Sequence, residues 1–233
     1  MNKQNQFYRQ IIISIVAITM GMSCMIYEFA LAQTLSLLLG HSTMRYQLTI
    51  GLYAASLGFG SLFYKKILNH LSLTPHDQNS RFLWNVQSLI FIEILISIIS
   101  SATFGILFLL DRQVNSLLME VLSHLVIILI GFLNGVELPL LMEMSEDKQI
   151  LLPSRVLAAD YLGTLLGAIL FPLVLLPQWH LFSIVAGATM INLFSAILLQ
   201  RSFLKDLTFK WQTLMYCSAV LFIGSLLTLE FWF

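Results

Sequence analysis

The chain has 233 residues, 58% of them hydrophobic and only 10% charged, where a soluble domain carries roughly 25% charged residues. An ordinary soluble fold is excluded, because a mean hydropathy of +0.85 leaves several apolar stretches that must each find an apolar solvent. Twelve Lys and Arg balance twelve Asp and Glu, so the basic excess that would draw the chain to nucleic acid is missing.

A spanning helix needs about 20 mostly apolar residues. Seven stretches qualify, at about 11–39, 47–64, 83–110, 117–142, 156–176, 180–200 and 211–231. The expected fold is all-α, a polytopic transmembrane helical bundle forming a single domain over 1–233 with no soluble domain. The first span is overlong, so it should tilt, bend or run on into the loop marked by Gly40, His41 and Ser42. Its start, with Gly21-Met22-Ser23-Cys24, imitates a lipoprotein leader, but apolar sequence continues past Cys24 and reads as a retained helix. Cys24 and Cys217 both sit in apolar runs and read as small buried hydrophobes rather than a disulfide or metal pair. A polar linker from Thr74 to Arg81 separates spans two and three, and Pro177 marks the turn between five and six. Trp179 and Trp211 suit the membrane interfaces.

Orientation follows from the cations. Lys3, Arg9, Lys65, Lys66, Arg81, Lys148, Arg155, Arg201, Lys205 and Lys210 fall on one side and only Arg45 and Arg112 on the other. The positive-inside rule then puts the amino terminus in the cytoplasm of a bacterial inner (plasma) membrane protein, and seven spans leave the carboxyl terminus outside.

Glu28, Glu93, Glu120, Glu137 and Asp160 lie among residues that would otherwise face lipid or packed helices. A charge at mid-bilayer costs from about 2.5 kcal/mol upward, so such acids turn inward, pair, protonate or line a wet cavity. Basic partners at that depth are lacking, which leaves protonation, hydrogen bonds or a bound cation. Glu137 stands two residues before Pro139, which frees the carbonyl of Gly135 and predicts a local break of the kind that transporters use at substrate or ion sites. Asp160 also suits a helix start, where the dipole favours an acid. Glu93 and Glu120 are expected near span ends, with their carboxyls reaching toward water, and His124 one turn beyond Glu120 within its reach. The pairs Ala17/Gly21, Gly51/Ala55, Ala54/Gly58, Gly131/Gly135 and Gly163/Gly167 permit close helix packing. No phosphate loop, dinucleotide fingerprint, His-Glu-x-x-His or Gly-x-Ser-x-Gly occurs, so the residues themselves supply no catalytic set and no metal or cofactor site.

Three segments carry a resemblance. They are Tyr27-Glu28 to Gln33 leading to Leu37-Leu38-Leu39-Gly40, then Gly135-Val136-Glu137-Leu138-Pro139 to Met142, then Ala159-Asp160-Tyr161-Leu162-Gly163 to Gly167 with Phe171-Pro172 and Pro177. Together they resemble the membrane domain of the membrane-bound spermidine synthase-like (polyamine aminopropyltransferase) family, from about Met20 to Pro177. In that family a soluble catalytic domain binding decarboxylated S-adenosylmethionine follows the membrane domain, and none of its pattern precedes Phe233. The family usually has arginine where this chain has Gln33, so an ion pair of Glu28 with that position is lost.

The resemblance implies a membrane module related to polyamine metabolism that binds or transports a small cation, a polyamine being favoured, without itself being an aminopropyltransferase. Glu28, Glu137 and Asp160 are the expected ligand carboxylates, with Tyr27 and Tyr161 as aromatic neighbours for cation contact. The alternatives are a non-catalytic anchor or scaffold in the bilayer for a separately encoded soluble synthase partner, or a remnant of a fused synthase.

Overall fold

The computed structural model describes residues 3–40, 43–70, 77–110 and 116–204. All of its regular structure is helical: α1 (Lys3–Leu38), α2 (Thr43–His70), α3 (Gln78–Leu110), α4 (Ser116–Asp147), α5 (Pro153–Leu170), a π-helical turn (Phe171–Leu175), the short α6 (Leu176–Gln178) and α7 (Leu181–Phe203). Among the described residues five rods are long and apolar enough to cross a membrane: Gln6–Leu38, Gln78–Thr103, Leu118–Glu146, Pro153–Gln178 and Leu181–Phe203. These correspond to the expected spans one, three, four, five and six, and the count of seven is not reached among the described residues. The predicted seventh span, 211–231, lies outside the described residues. The predicted second, 47–64, falls in α2, whose 28 residues are diluted by Gly51, Gly58, Gly60, Ser56 and Ser61 and by Lys65 and Lys66 near its end, so it falls short of the other five in apolar character.

The helices pack as a bundle in which α1 lies along α5, α2 along α4, and α3 and α7 together close the middle against α1 and α4. Glycine decides the first two crossings. A Cβ on Gly163 would strike the main-chain carbonyl of Ile18, and one on Gly21 the carbonyl of Asp160. A Cβ on Gly135 would strike the carbonyl of Leu57, and one on Gly60 that of Phe132. The expected pairs Gly163/Gly167 and Gly131/Gly135 are therefore packing devices. Gly51 and Gly58 face open space, so the pairs containing them bring no helix close.

Proline behaves differently from expectation. α4 runs unbroken through Pro139, and Gly135, whose carbonyl the proline leaves without its helical donor, is packed against the α2 main chain. The irregular segment comes instead at Pro172, where the Leu176 amide reaches back five residues to the Phe171 carbonyl in a π-type bond. This wider turn absorbs the proline's missing donor. Trp179 and His180 are extended and turn the chain into α7.

The outside of the bundle is itself apolar, with Phe59, Leu62, Leu125, Leu165, Leu173 and Phe194 exposed. A patch that large on a water-facing surface would drive association. Inside, one buried cluster runs from Ile12 and Ile13 through Leu89, Leu140 and Leu199, and a second surrounds Tyr27, Tyr53, Ile96, Ile127 and Phe171.

Candidate functional site

Near mid-length the helices that form the core each turn a polar side chain inward. Glu28 on α1 is 7% exposed, Glu93 on α3 is 0% and Glu137 on α4 is 2% exposed. Asp160 on α5 is half-buried. The Glu137 carboxyl lies within electrostatic reach of Glu93 and Asp160, and Glu28, Glu137 and Asp160 all lie within reach of Cys24. Glu28, Glu137 and Asp160 are thus grouped about the Cys24 stretch of α1, and Glu93 is linked to them through Glu137. Among the described residues the structure shows the ion pair Lys65–Glu143 at the end of α2, whereas both carboxyl oxygens of Glu93 and one of Glu137 are buried without a hydrogen-bond partner.

Tyr27 is fully buried, and its hydroxyl hydrogen-bonds with that of Thr189 on α7 at 3.2 Å. Thr189 in turn lies 3.4 Å from the Ser101 hydroxyl on α3. Tyr53 on α2 donates to the Cys24 carbonyl at 3.3 Å, and its hydroxyl lies 3.6 Å from Cys24 Sγ. These bonds fix the aromatic rings beside the acids.

Tyr161 is placed elsewhere. It is 62% exposed, because one residue after inward-turned Asp160 a helix has rotated by about 100°. The structure does not bring it among the buried carboxyls. Asp160 itself is not at a helix start, since α5 begins at Pro153 and has no acid in its first turn. Its main-chain carbonyl accepts from the Thr164 hydroxyl at 3.0 Å, and its Oδ1 lies beside Gly21. The dipole role expected for it is therefore removed.

Glu93 is the residue that the sequence reading set aside. Taking the third span to start at residue 83 put Glu93 toward its end, whereas α3 starts at Gln78 and places Glu93 well inside the helix with no exposure. Glu120 keeps its terminal place, on the fifth residue of α4. His124 Nδ1 lies 2.6 Å from the Glu120 main-chain carbonyl rather than its carboxyl, so no side-chain pair forms there.

Two further signals accompany the acids. Asn192 on α7 is 1% exposed and neither side-chain polar atom has a hydrogen-bond partner. Both carboxyl oxygens of Glu93, one of Glu137, and Asn134 Oδ1 are likewise buried without a partner. An unpaired buried polar group costs about 1–3 kcal/mol, so their concentration at one level is chemically informative. Among the described residues no group of three or more His, Cys, Asp or Glu is arranged to hold a metal ion.

Comparison with known proteins gives a consistent relation. The chain is similar to a polyamine aminopropyltransferase of Corynebacterium efficiens, 31% identical over 201 residues, covering 83% of this chain and 35% of that protein. It is also similar to polyamine aminopropyltransferases of Leptospira interrogans, 32% identical over 67% of this chain and 29% of the relative, and of Ralstonia nicotianae, 33% identical over 70% and 30%. The chain spans about a third of the length of these curated relatives. No family model matches it, and no solved structure matches it.

Proposed function

We propose that this chain is a membrane-embedded helical module that binds or moves a small cation, with a polyamine as the favoured ligand. The observation that carries the reading is the set of inward carboxyls, Glu28, Glu137 and Asp160, held in an apolar bundle, with one Glu137 oxygen buried and without a partner among the described residues. Such acids are costly in hydrocarbon and are kept where they serve a ligand or a proton. Tyr27, fully buried, would serve as an aromatic wall for the cation. The polyamine preference is supported by the relatives, which are named polyamine aminopropyltransferases.

Five helices of spanning length and an apolar exterior support placement in a bilayer. The ends carrying Lys65, Lys66, Arg81, Lys148 and Arg155 would face the cytoplasm of a bacterial inner membrane. Tyr161, exposed on α5, would contact lipid or a partner in this arrangement rather than the cation.

The test is binding of radiolabelled spermidine to the purified protein in detergent. Glu28→Gln and Glu137→Gln should each abolish binding or flux while the protein stays folded, and unchanged binding in both would sink the reading. A second reading, an anchor for a soluble aminopropyltransferase or part of a fused synthase, is favoured by one observation: the relatives are about three times the length of the matched region. It predicts that mild extraction followed by affinity purification and mass spectrometry recovers a stoichiometric soluble synthase, and a chain that emerges alone counts against it.

A further inference from the structure

The polar atoms left unpartnered in the core are not a random sample of chemistry. Eight buried side-chain N and O atoms lack a partner among the described residues: Asn85 Nδ2, Glu93 Oε1 and Oε2, Ser100 Oγ, Asn134 Oδ1, Glu137 Oε1, and Asn192 Nδ2 and Oδ1. Six of them belong to Glu93, Asn134, Glu137 and Asn192, five oxygens against one amide nitrogen, and with the carboxyls ionised all five oxygens only accept. That group is short of donors.

The helix register brings the acceptor side chains to one height. α3 runs antiparallel to α4 and to α7, since Lys148 meets both Asn79 and the Phe82 ring, Phe82 stacks edge-on against Phe203, and Ser101 meets Thr189. Counting inward from these pairs sets Glu93 level with the Asn134 to Glu137 turn of α4 and with the turn of α7 that begins at Asn192. The pairs Thr19 with Ser195 and Tyr27 with Thr189 set Asn192 level with buried Ser23 on α1. Glu93 and Glu137 are within electrostatic reach of each other, as this register requires. Asn192, on a different helix from either acid and with both polar atoms free, is independent of the acidic pair.

We propose that Glu93, Glu137, Asn134 and Asn192 form an occluded site for a primary ammonium group. An ammonium carries three N–H donors and no acceptor, which is what a level rich in bare oxygens lacks. It also neutralises the Glu93 carboxylate, neither oxygen of which has a partner among the described residues. The inference rests on the proposed cation-binding function and deepens it: the ligand's amine is held by Glu93 and Asn192, a pair the family-like motifs do not contain, while Glu28 and Asp160 serve the rest of the ligand or its path.

The experiment measures radiolabelled butane-1,4-diammonium bound to the purified full chain, with tetramethylammonium, a cation without N–H donors, as competitor. Wild type should bind it, Glu93→Gln and Asn192→Leu should each weaken binding by about tenfold or more, and tetramethylammonium should not displace it. Retained affinity in both variants, with loss in Glu28→Gln or Asp160→Asn, overturns this site and leaves the cation-binding function standing. Equal displacement by tetramethylammonium overturns the recognition of N–H donors. Wild type that binds neither this diamine nor spermidine removes the function and the site together. Should Glu93→Gln fail to give monodisperse protein, Asn192→Leu decides, because Leu keeps the branching of Asn and puts methyls in place of its polar atoms.

Discussion

At the end of the bundle where α1 begins and α4 finishes, polar side chains are spent on neighbours. Gln10 donates to the Ile150 carbonyl at 2.7 Å, and the Ser145 hydroxyl both donates to the Leu151 carbonyl at 2.9 Å and accepts its amide at 3.1 Å. Tyr64 donates to Glu143 at 3.2 Å, with Lys65 beside it. The turn after α4 closes by bonds from Gln149 to Glu146 and from Ile150 to Ser145, with Gln149 in the left-handed region at φ 50°, which is the Schellman pattern of a helix end. At mid-length the opposite holds: Glu93, Asn192 and one oxygen of Glu137 are as deeply buried as Ser145 and bond to nothing among the described residues. Satisfied polar atoms hold a fold together, whereas bare ones at this depth subtract from it. On the proposal made above, the end serves architecture and the middle serves a ligand.

Both levels depend on the same close crossings, so the largest effect should come from closing one of them. Gly163→Leu forces a side chain against the Ile18 main chain, which has no flexible atom to yield. Overpacking of this kind typically costs about 1–3 kcal/mol, and more where backbone is the obstacle. The variant should lose monodispersity in detergent or unfold at much lower denaturant, while Gly58→Leu, facing open space, should not. The two levels then separate in a paired measurement. Ser145→Ala leaves the Leu151 carbonyl and amide short of their partner and should lose about 1 kcal/mol of stability. Glu93→Met removes two bare oxygens at similar volume and should gain stability in the ligand-free protein, by up to about 1–3 kcal/mol. Denaturant titration of both variants in the same detergent checks this, and a Glu93→Met protein less stable than wild type would erase the distinction between the levels.

Much of this architecture was legible in the residues. Runs of some 20 apolar side chains define α1, α3, α4, the α5 rod and α7 because hydrocarbon length is a strong constraint, and Glu28 and Glu137 announce themselves as acids in such runs. What the residues hide is rotation and depth. Tyr161 neighbours Asp160 in sequence yet faces outward, and Glu93 was misjudged because α3 extends more than a turn earlier than its apolar run. Pro139 predicts a break that α4 does not show, while Pro172 makes one that periodicity does not announce. Asn192 gave no signal at all, since a lone amide in an apolar run is informative only once its partners are known to be missing. A small-residue pair likewise says that helices can approach, not that they do, as Gly51 and Gly58 show.

The smallest effect lies at the surface of the satisfied end. Asp77 caps α3: its Oδ2 accepts the Ser80 amide at 3.1 Å and the Ser80 hydroxyl at 3.3 Å. The hydrogen bond from the Ser80 amide holds the Asp77 carboxyl below its ordinary value. Because the folded value is depressed, the cap's contribution is fully present above the unfolded value, about 3.9 for Asp, and is lost as pH falls through the lower folded one. Asp77→Ala should therefore speed hydrogen exchange at the Ser80 amide near neutral pH, and the gap to wild type should close as the medium is acidified through that window. Full exposure and ionic screening keep the effect on the whole protein slight. A gap that persisted in acid would mean that the cap acts through packing or backbone geometry rather than charge, and the end of the bundle would then owe less to its polar bonds than its paired side chains indicate.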